Sequence, residues 1–595
     1  MIPRIRQRFG GYGLFVGLLF LLCAFLVWPI LLTVQGGFVN QDGQFTVQYI
    51  ISVCTDPLLR EGLFNSLAIG LCTTLLCVLI TLPLGLLAAR CDFAGKALVT
   101  NLVLVPLILP PFVGAIGLRA LLGRFGSFNA LLGESGLLDP AGPGLDFLGQ
   151  GLPGGGGRFW AVVVMEVLHL YPILYLNITA ALANLDPVLE EAAANLGAGW
   201  WRRFFRCTLP LILPGLFAGS TIVFIWSFTE LGTPLMFDYH TVMPVQIFWG
   251  INEVADNPRP YALVVVMLTV ALGVYVLGRY FFGGHAYEMH AKASVASTTR
   301  RLAGTRAFAA FGLFAGITLV AVLPHLGVVF SSFSVEGSWY RSVLPQQWTL
   351  SHYQNALSHE LAMQAIANSL YYASIAVGLC LIVGLAIAYL VVRVRLKGAM
   401  LLDGLAMLPL AVPGLVMAFG YVAMSLRWPF GPGDPLHRLA STLGLDPIGV
   451  LGQSPNPIPL IIIAYAVRRL PYIVRTSVAG LEQTSGVLEE AAMNLGASTL
   501  TCIRRIVIPL IMANLIAGGI LVFAFSMLEV SDSLVLAQKQ KFFPITKAIW
   551  EFFNRLGDGP YIASAMGVWG MALLTLTLVG ASMLMGKRIG MIFRV

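Results

Sequence analysis

The chain has 595 residues, 57% of them hydrophobic and only 11% charged, with a mean hydropathy of +0.83. A soluble domain carries about a quarter charged residues, so this composition excludes a soluble enzyme or binding module and indicates an all-α, polytopic membrane protein. The net charge of +8 implies no nucleic-acid partner, because the basic residues are not gathered on a soluble domain.

Arg4, Arg6 and Arg8 precede an apolar run from about residue 14 to 34. A membrane-spanning helix needs roughly 20 apolar residues and a secretory signal core is shorter. With no small-x-small cleavage pattern, the run reads as a retained first helix. Further runs lie near 64–89, 98–122, 160–182, 209–231 and 261–282, and then near 308–330, 366–392, 400–426, 458–478, 508–530 and 561–586. Twelve helices in two sets of six are expected: a first membrane domain 1–283, a linker 284–306 and a second membrane domain 307–595. The loop 123–157, with its run of glycines at 154–157, reads as irregular. The eight cysteines lie mostly in apolar runs without metal or disulfide spacing, so they read as small buried hydrophobes.

The two sets are an internal repeat. Asn65-Ser66-Leu67 answers Asn368-Ser369-Leu370, and Pro106 and Pro110 answer Pro409 and Pro413, at an offset of 303 residues. From Pro172 and Pro471 onward the offset is 299. An even number of helices per set makes the repeat parallel. With the N-terminus and the loops after the fourth and tenth helices placed in the cytoplasm, that side carries most of the Lys and Arg, as the positive-inside rule requires. Lys539, Lys541, Lys547 and Arg555 depart from the pattern.

One polar stretch occurs in both halves. Leu189-Glu190-Glu191-Ala192-Ala193-Ala194-Asn195-Leu196-Gly197-Ala198 is matched by Leu488-Glu489-Glu490-Ala491-Ala492-Met493-Asn494-Leu495-Gly496-Ala497, and Leu209-Pro210 downstream by Ile508-Pro509. Asp186 and Ser485 are helix-capping residue types, and Pro187 suits a first helical position. The glutamates lie in the first turn, where the helix dipole favours them. Gly197 and Gly496 permit the turn that ends each helix. A short helix followed by a bend is expected in each half.

This pattern resembles the EAA loop of ABC importer permeases. The resemblance implies that Glu190, Glu191, Ala192, Ala193 and Gly197, with Glu489, Glu490, Ala491, Ala492 and Gly496, form two coupling helices that dock into cytoplasmic ATPase subunits. Two ATPase copies and an extracytoplasmic solute-binding protein are the implied partners, beside the lipid bilayer. The stretch Arg468-Arg469-Leu470-Pro471-Tyr472 is similar to a segment of the two-domain permeases for ferric iron, thiamine and 2-aminoethylphosphonate. The first half departs from it, with His169-Leu170-Tyr171-Pro172.

No Walker A sequence is present: Gly95-Lys96 and Gly586-Lys587 lack both the preceding glycine and the following hydroxyl residue. Glu166 and His169 make only a fragment of a zinc-protease signature. No catalytic residue, resident metal or cofactor is therefore expected. Pro110 and Pro413 sit within the third and ninth helices, where they either shape the translocation pathway or are packing kinks. Glu230 and Glu529 are matched by the repeat and are placed near the outer ends of their helices, either meeting a cationic cargo or capping a helix. Arg468, near the middle of the tenth helix, either lines the pathway or snorkels to an interface. Trp200, Trp201, Phe204 and Phe205, interleaved with Arg202, Arg203 and Arg206, suit the headgroup boundary.

An ATP-driven importer subunit is the reading these features support best, with ferric iron as first cargo and thiamine, phosphonate or polyamine as alternatives. A twelve-helix ion-coupled carrier shares the helix count and the repeat but has no use for paired ATPase-docking loops. An intramembrane enzyme has no paired catalytic signature behind it.

Overall fold

A computed structural model of the protein describes residues 2–108, 110–140, 142–149, 156–183, 185, 187–282, 300–452 and 455–585. The described residues are overwhelmingly helical, and each of the twelve expected helices is present. Eight are continuous helices long and apolar enough to cross a membrane: Gly11–Gly37, Pro57–Arg90, Gly157–Ala183, Trp200–Phe228, Arg259–Gly278, Gly304–Phe333, Glu360–Val394 and Gly559–Thr577. Three more are pairs broken by a bend: Lys96–Leu107 with Pro111–Glu134 (98°), Ala399–Leu410 with Gly414–Leu426 (103°) and Thr499–Leu510 with Met512–Met527 (80°). The twelfth, Ile458–Glu482, is long enough but carries Arg468, Arg469 and Arg475. These twelve are called segments one to twelve in chain order.

The expected bends in the third and ninth segments prove to be breaks. Pro106 lies in a tight 3-10 turn, Val105–Ile108, and a new helix starts at Pro111 immediately after Pro110. In the second half Leu408–Leu410 forms the same turn, and a new helix starts at Gly414 after Pro413. Closely spaced prolines each remove a backbone donor, so the helical hydrogen-bond ladder is interrupted there. Pro110 and Pro413 both take extended ψ, 133° and 138°.

The chain divides into two compact units, which cross the sequence halves. One unit holds residues 1–61, 243–269 and 350–592; the other holds 62–242, 270–349 and 593–595. The first segment thus packs with segments eight to twelve, and the seventh with segments two to five. The division expected at 284–306 is one of sequence, whereas packing exchanges the leading segment of each half. Residues 283–299 lie outside the described residues, so most of the expected linker does too.

Within each unit the exchanged segment is seated by the same device. A Cβ placed on Gly117 would collide with the carbonyl oxygen of Pro324 in the seventh segment. Gly420, its equivalent 303 residues on, would bring a Cβ to 2.8 Å from the carbonyl oxygen of Pro29 in the first segment. Small residues at such crossings let helix backbones touch, which is how helices associate where lipid offers no hydrophobic drive. The Tyr421 hydroxyl also donates to the Phe25 carbonyl at 2.7 Å, within a wide π-turn, Cys23–Val27. In the other unit, Cys91–Asp92 forms a two-residue parallel ladder with Arg300–Arg301.

Candidate functional site

The duplicated stretch folds as its sequence predicts. Pro187–Asn195 and Val487–Asn494 are helices. Asp186 lies outside the described residues; in the second copy Gly486 rather than Ser485 takes the N-cap position, and the Ser485 hydroxyl accepts from the Val487 amide at 3.3 Å. Both helices end alike. The Ala198 amide donates to the Ala193 carbonyl at 3.0 Å, and the Ala497 amide to the Ala492 carbonyl at 3.0 Å. Gly197 and Gly496 lie between them at φ +79° and +91°, a left-handed conformation that glycine adopts without Cβ strain.

The two glutamates of each copy have different tasks. Glu190 is half-buried and accepts from Arg90 Nη2 at 2.6 Å and from the Thr208 hydroxyl at 2.6 Å. Glu489 is buried and accepts from Arg393 Nε at 2.8 Å, while Arg393 Nη2 also reaches the Thr484 carbonyl (2.9 Å) and hydroxyl (2.8 Å). Glu191 and Glu490 face outward, as do Ala192 and Ala491. Leu196 and Leu495, at the helix ends, are 89% and 90% exposed. Each helix therefore turns a small apolar and acidic face away from the protein and fastens its first glutamate inward. Arg90 and Arg393, which end the second and eighth segments at an offset of 303, went unnoticed in the sequence. Their matched offset was the signal for them.

In the unit containing the second loop helix, Arg468 and Glu529 form one site. Arg468 Nη1 lies 2.5 Å from Glu529 Oε1 and 3.4 Å from Asp532 Oδ2. Arg469 Nη2 pairs with Glu529 Oε2 and also donates to the Phe525 carbonyl at 3.3 Å. Glu529 and Asp532 are buried. Glu529, offered by the sequence either to a cationic cargo or to a helix cap, and Arg468, offered either to the pathway or to an interface, are brought together in this network. Charges withdrawn from water are tolerable only when paired, and pairing satisfies both. Gly414, just after Pro413, leaves the space that the Arg468 guanidinium fills.

Glu230 sits in a different environment. Its carboxylate accepts from the Gly232 and Thr233 amides at 3.1 and 3.4 Å, capping the short helix Gly232–Met236. By the repeat offset, Arg468 is replaced by His169, Arg469 by Leu170, Asp532 by Thr233 and Gly414 by Pro111. His169 Nδ1 lies 3.2 Å from the Pro106 carbonyl. The residues that build the second-half network are therefore not repeated at the equivalent positions of the first half.

Beside the first loop helix, Trp200 stacks on Phe204 (5.7 Å) and Trp201 on Phe205 (5.9 Å). Trp200, Trp201 and Phe205 are exposed. Among the described residues, no group of three or more His, Cys, Asp or Glu is placed to hold a metal ion.

The sequence family described as binding-protein-dependent transport system inner membrane component matches this chain twice, over residues 81–283 and 380–582. The chain belongs to that family. It is a multi-pass permease with two fused copies of the domain. Among its relatives is the ferric transport system permease protein FbpB of Actinobacillus pleuropneumoniae, 26% identical over 576 residues, covering 93% of this chain and 75% of that one. The Fe(3+)-transport system permease protein FbpB 2 of Haemophilus influenzae is 23% identical over 515 residues, covering 85% of this chain and 86% of that one. The molybdenum transport system permease protein ModB of Escherichia coli is 36% identical over 184 residues, covering 30% of this chain and 74% of that one. Among solved structures, a bacterial alginate ABC transporter in complex with an alginate pentasaccharide-bound periplasmic protein is 18% identical. It covers 48% of this chain and 96% of that one, at a TM-score of 0.34.

Proposed function

We propose that this permease is the membrane subunit of an ATP-driven, binding-protein-dependent importer, with its two loop helices docking two copies of a cytoplasmic ATPase. The observation that carries the reading is the pair of loop helices: equal in turn geometry, fastened inward by one glutamate and exposing Leu196 and Leu495 outward. The chain hydrolyses no ATP itself. Its N- and C-termini face the cytoplasm, 284–306 links the halves 1–283 and 307–595, and an extracytoplasmic solute-binding protein delivers the cargo.

Ferric iron is the proposed cargo, supported by the relatives that span most of the chain. A metal oxyanion is the second reading, favoured by the higher identity to the molybdenum permease within one half. Pro110 and Pro413, at the breaks of the third and ninth segments, and Arg468, packed from the tenth segment against Gly414, border the proposed pathway. In this reading Glu230 and Glu529 serve the surrounding structure rather than touching cargo.

The test is co-purification with the ATPase and uptake into vesicles supplied with the binding protein. The unaltered chain should retain two ATPase copies and take up iron(III) on ATP addition. Gly197→Pro or Gly496→Pro, which cannot hold the left-handed turn, should leave the chain in the membrane yet cut ATP-driven uptake at least tenfold. Undiminished uptake by both variants would defeat the docking assignment. Uptake of molybdate but not iron(III) would select the second cargo.

A further inference from the structure

We propose that the ion pairs Arg90–Glu190 and Arg393–Glu489 are the joints through which each loop helix moves the second segment of its half. The proposal rests on the docking role given to those helices above.

Chain connectivity explains part of the linkage and leaves a gap. The first loop helix is joined covalently to the fourth segment, which precedes it, and to the fifth, which follows Gly197. The second segment, Pro57–Arg90, is 34 residues long, roughly 50 Å of helix. It has no covalent link to the loop helix. Arg90, its last residue, reaches Glu190 at 2.6 Å. The loop helix is nine residues long, too short to be stable alone in water. It moves as a rigid body only if it is fastened.

The other copy repeats the arrangement at equivalent positions. Arg393 comes from the final turn of the eighth segment, Glu360–Val394, and meets Glu489 at 2.8 Å. The two pairs are completed differently. Thr208, in the fifth segment, adds a second contact to Glu190. In the second copy Thr484, after the tenth segment, adds its contacts to Arg393 instead. The shared element is the arginine–glutamate pair itself. Each pair ties the loop helix and a segment next to it in the chain to one that is remote in the chain. Partly buried, charge-assisted hydrogen bonds of this length are roughly twice as strong as neutral ones. A push on the exposed face then reaches the far segment without slack. Glu190 and Glu489 are positioning residues, distinct from the outward Glu191 and Glu490.

The full-length permease with its ATPase, reconstituted in nanodiscs, tests this. The variants are Glu190→Arg, Glu190→Gln, Arg90→Glu and the exchange Arg90→Glu with Glu190→Arg. Three quantities are read: ATPase retained, ATP hydrolysed, and hydrogen exchange of peptides covering residues 75–90 before and after trapping with ATP and vanadate. In the unaltered chain, trapping should change exchange in those peptides at least threefold. The single variants should keep ATPase retention within about twofold and lose the exchange response. The exchanged pair should restore at least half of it. A full exchange response in Glu190→Gln and Glu190→Arg would overturn the proposal. So would loss of ATPase retention in the single variants that the exchanged pair fails to restore, since the pair would then merely shape the docking face. If the unaltered chain retains no ATPase, the docking reading itself fails, and the proposal with it.

Discussion

Glu529 and Glu230 hold equivalent repeat positions and should answer mutation differently. Glu529→Gln removes a carboxylate from two arginines and leaves one of them inadequately compensated. Breaking a buried ion network in this way costs about 3–5 kcal/mol. Glu230→Gln keeps a side-chain oxygen acceptor for the Gly232 and Thr233 amides, so it should cost less than Glu529→Gln. Thermal unfolding of each purified variant in detergent checks this; equal shifts would refute the asymmetry. Lys547 offers a pH-dependent test. Its ammonium is buried, donates to the Leu534 carbonyl at 3.2 Å and lies 4.8–5.6 Å from the ring centroids of Trp550, Phe248 and Phe543. Burial pushes its pKa down to about 8, with Glu551 pulling the other way. Below about 8 the lysine is charged in both folded and unfolded chains, and the full burial penalty applies. Between about 8 and 10.5 the unfolded chain holds the proton that the folded chain has released, so stability rises with pH there. Lys547→Met should remove that rise, which melting curves from pH 7 to 10 would show. The sequence displayed Glu230 and Glu529 as a matched pair, but the distinction between them depends on neighbours brought in from another segment. Arg468 was visible as a costly charge; that its partner was Glu529 could not be read from either helix separately.

At the scale of elements, the loop helices were the most legible part of the molecule because everything that makes them is local. Capping residues, alanines and a terminal glycine lie within a dozen consecutive positions, and the two copies share the same hydrogen-bonded ends. The breaks in the third and ninth segments were only half legible. Prolines announced a disturbance, but a turn near 100° follows from their clustering rather than from any one of them. The glycines at the crossings were less legible still, because Gly117 and Gly420 acquire meaning only against Pro324 and Pro29. They yield a clear expectation. Gly117→Val should be strongly destabilising, since a backbone carbonyl occupies the space and cannot rotate away as a side chain would. Overpacking of this kind costs about 1–3 kcal/mol or more. Gly273→Ala, where no atom lies within 4 Å of the added Cβ, should be nearly neutral. Comparing their melting temperatures in detergent tests the close approach, and equal values would contradict it.

For the whole molecule, the sequence repeat located the family domains but concealed the packing. Periodicity and offsets compare a chain with itself along its length. They carry no information on which half receives a given helix. The exchange of the leading segments makes each compact unit depend on both halves. Residues 1–282 expressed alone should therefore be digested at least tenfold faster by protease than the intact chain. Co-expression with residues 300–595 should restore resistance. Resistance of the first fragment alone would argue against the exchange.

The exchange also sets a timetable for biosynthesis. Gly37 closes the first segment, but the helix that receives it ends only at Leu426. At about 5–20 residues per second, a ribosome needs roughly 20–80 s to cover that distance. For that interval the first segment waits in the bilayer without its partner, while the unit built on segments two to five can close once the seventh emerges. The order of completion is thus inverted: the earliest helix made is among the last to be seated.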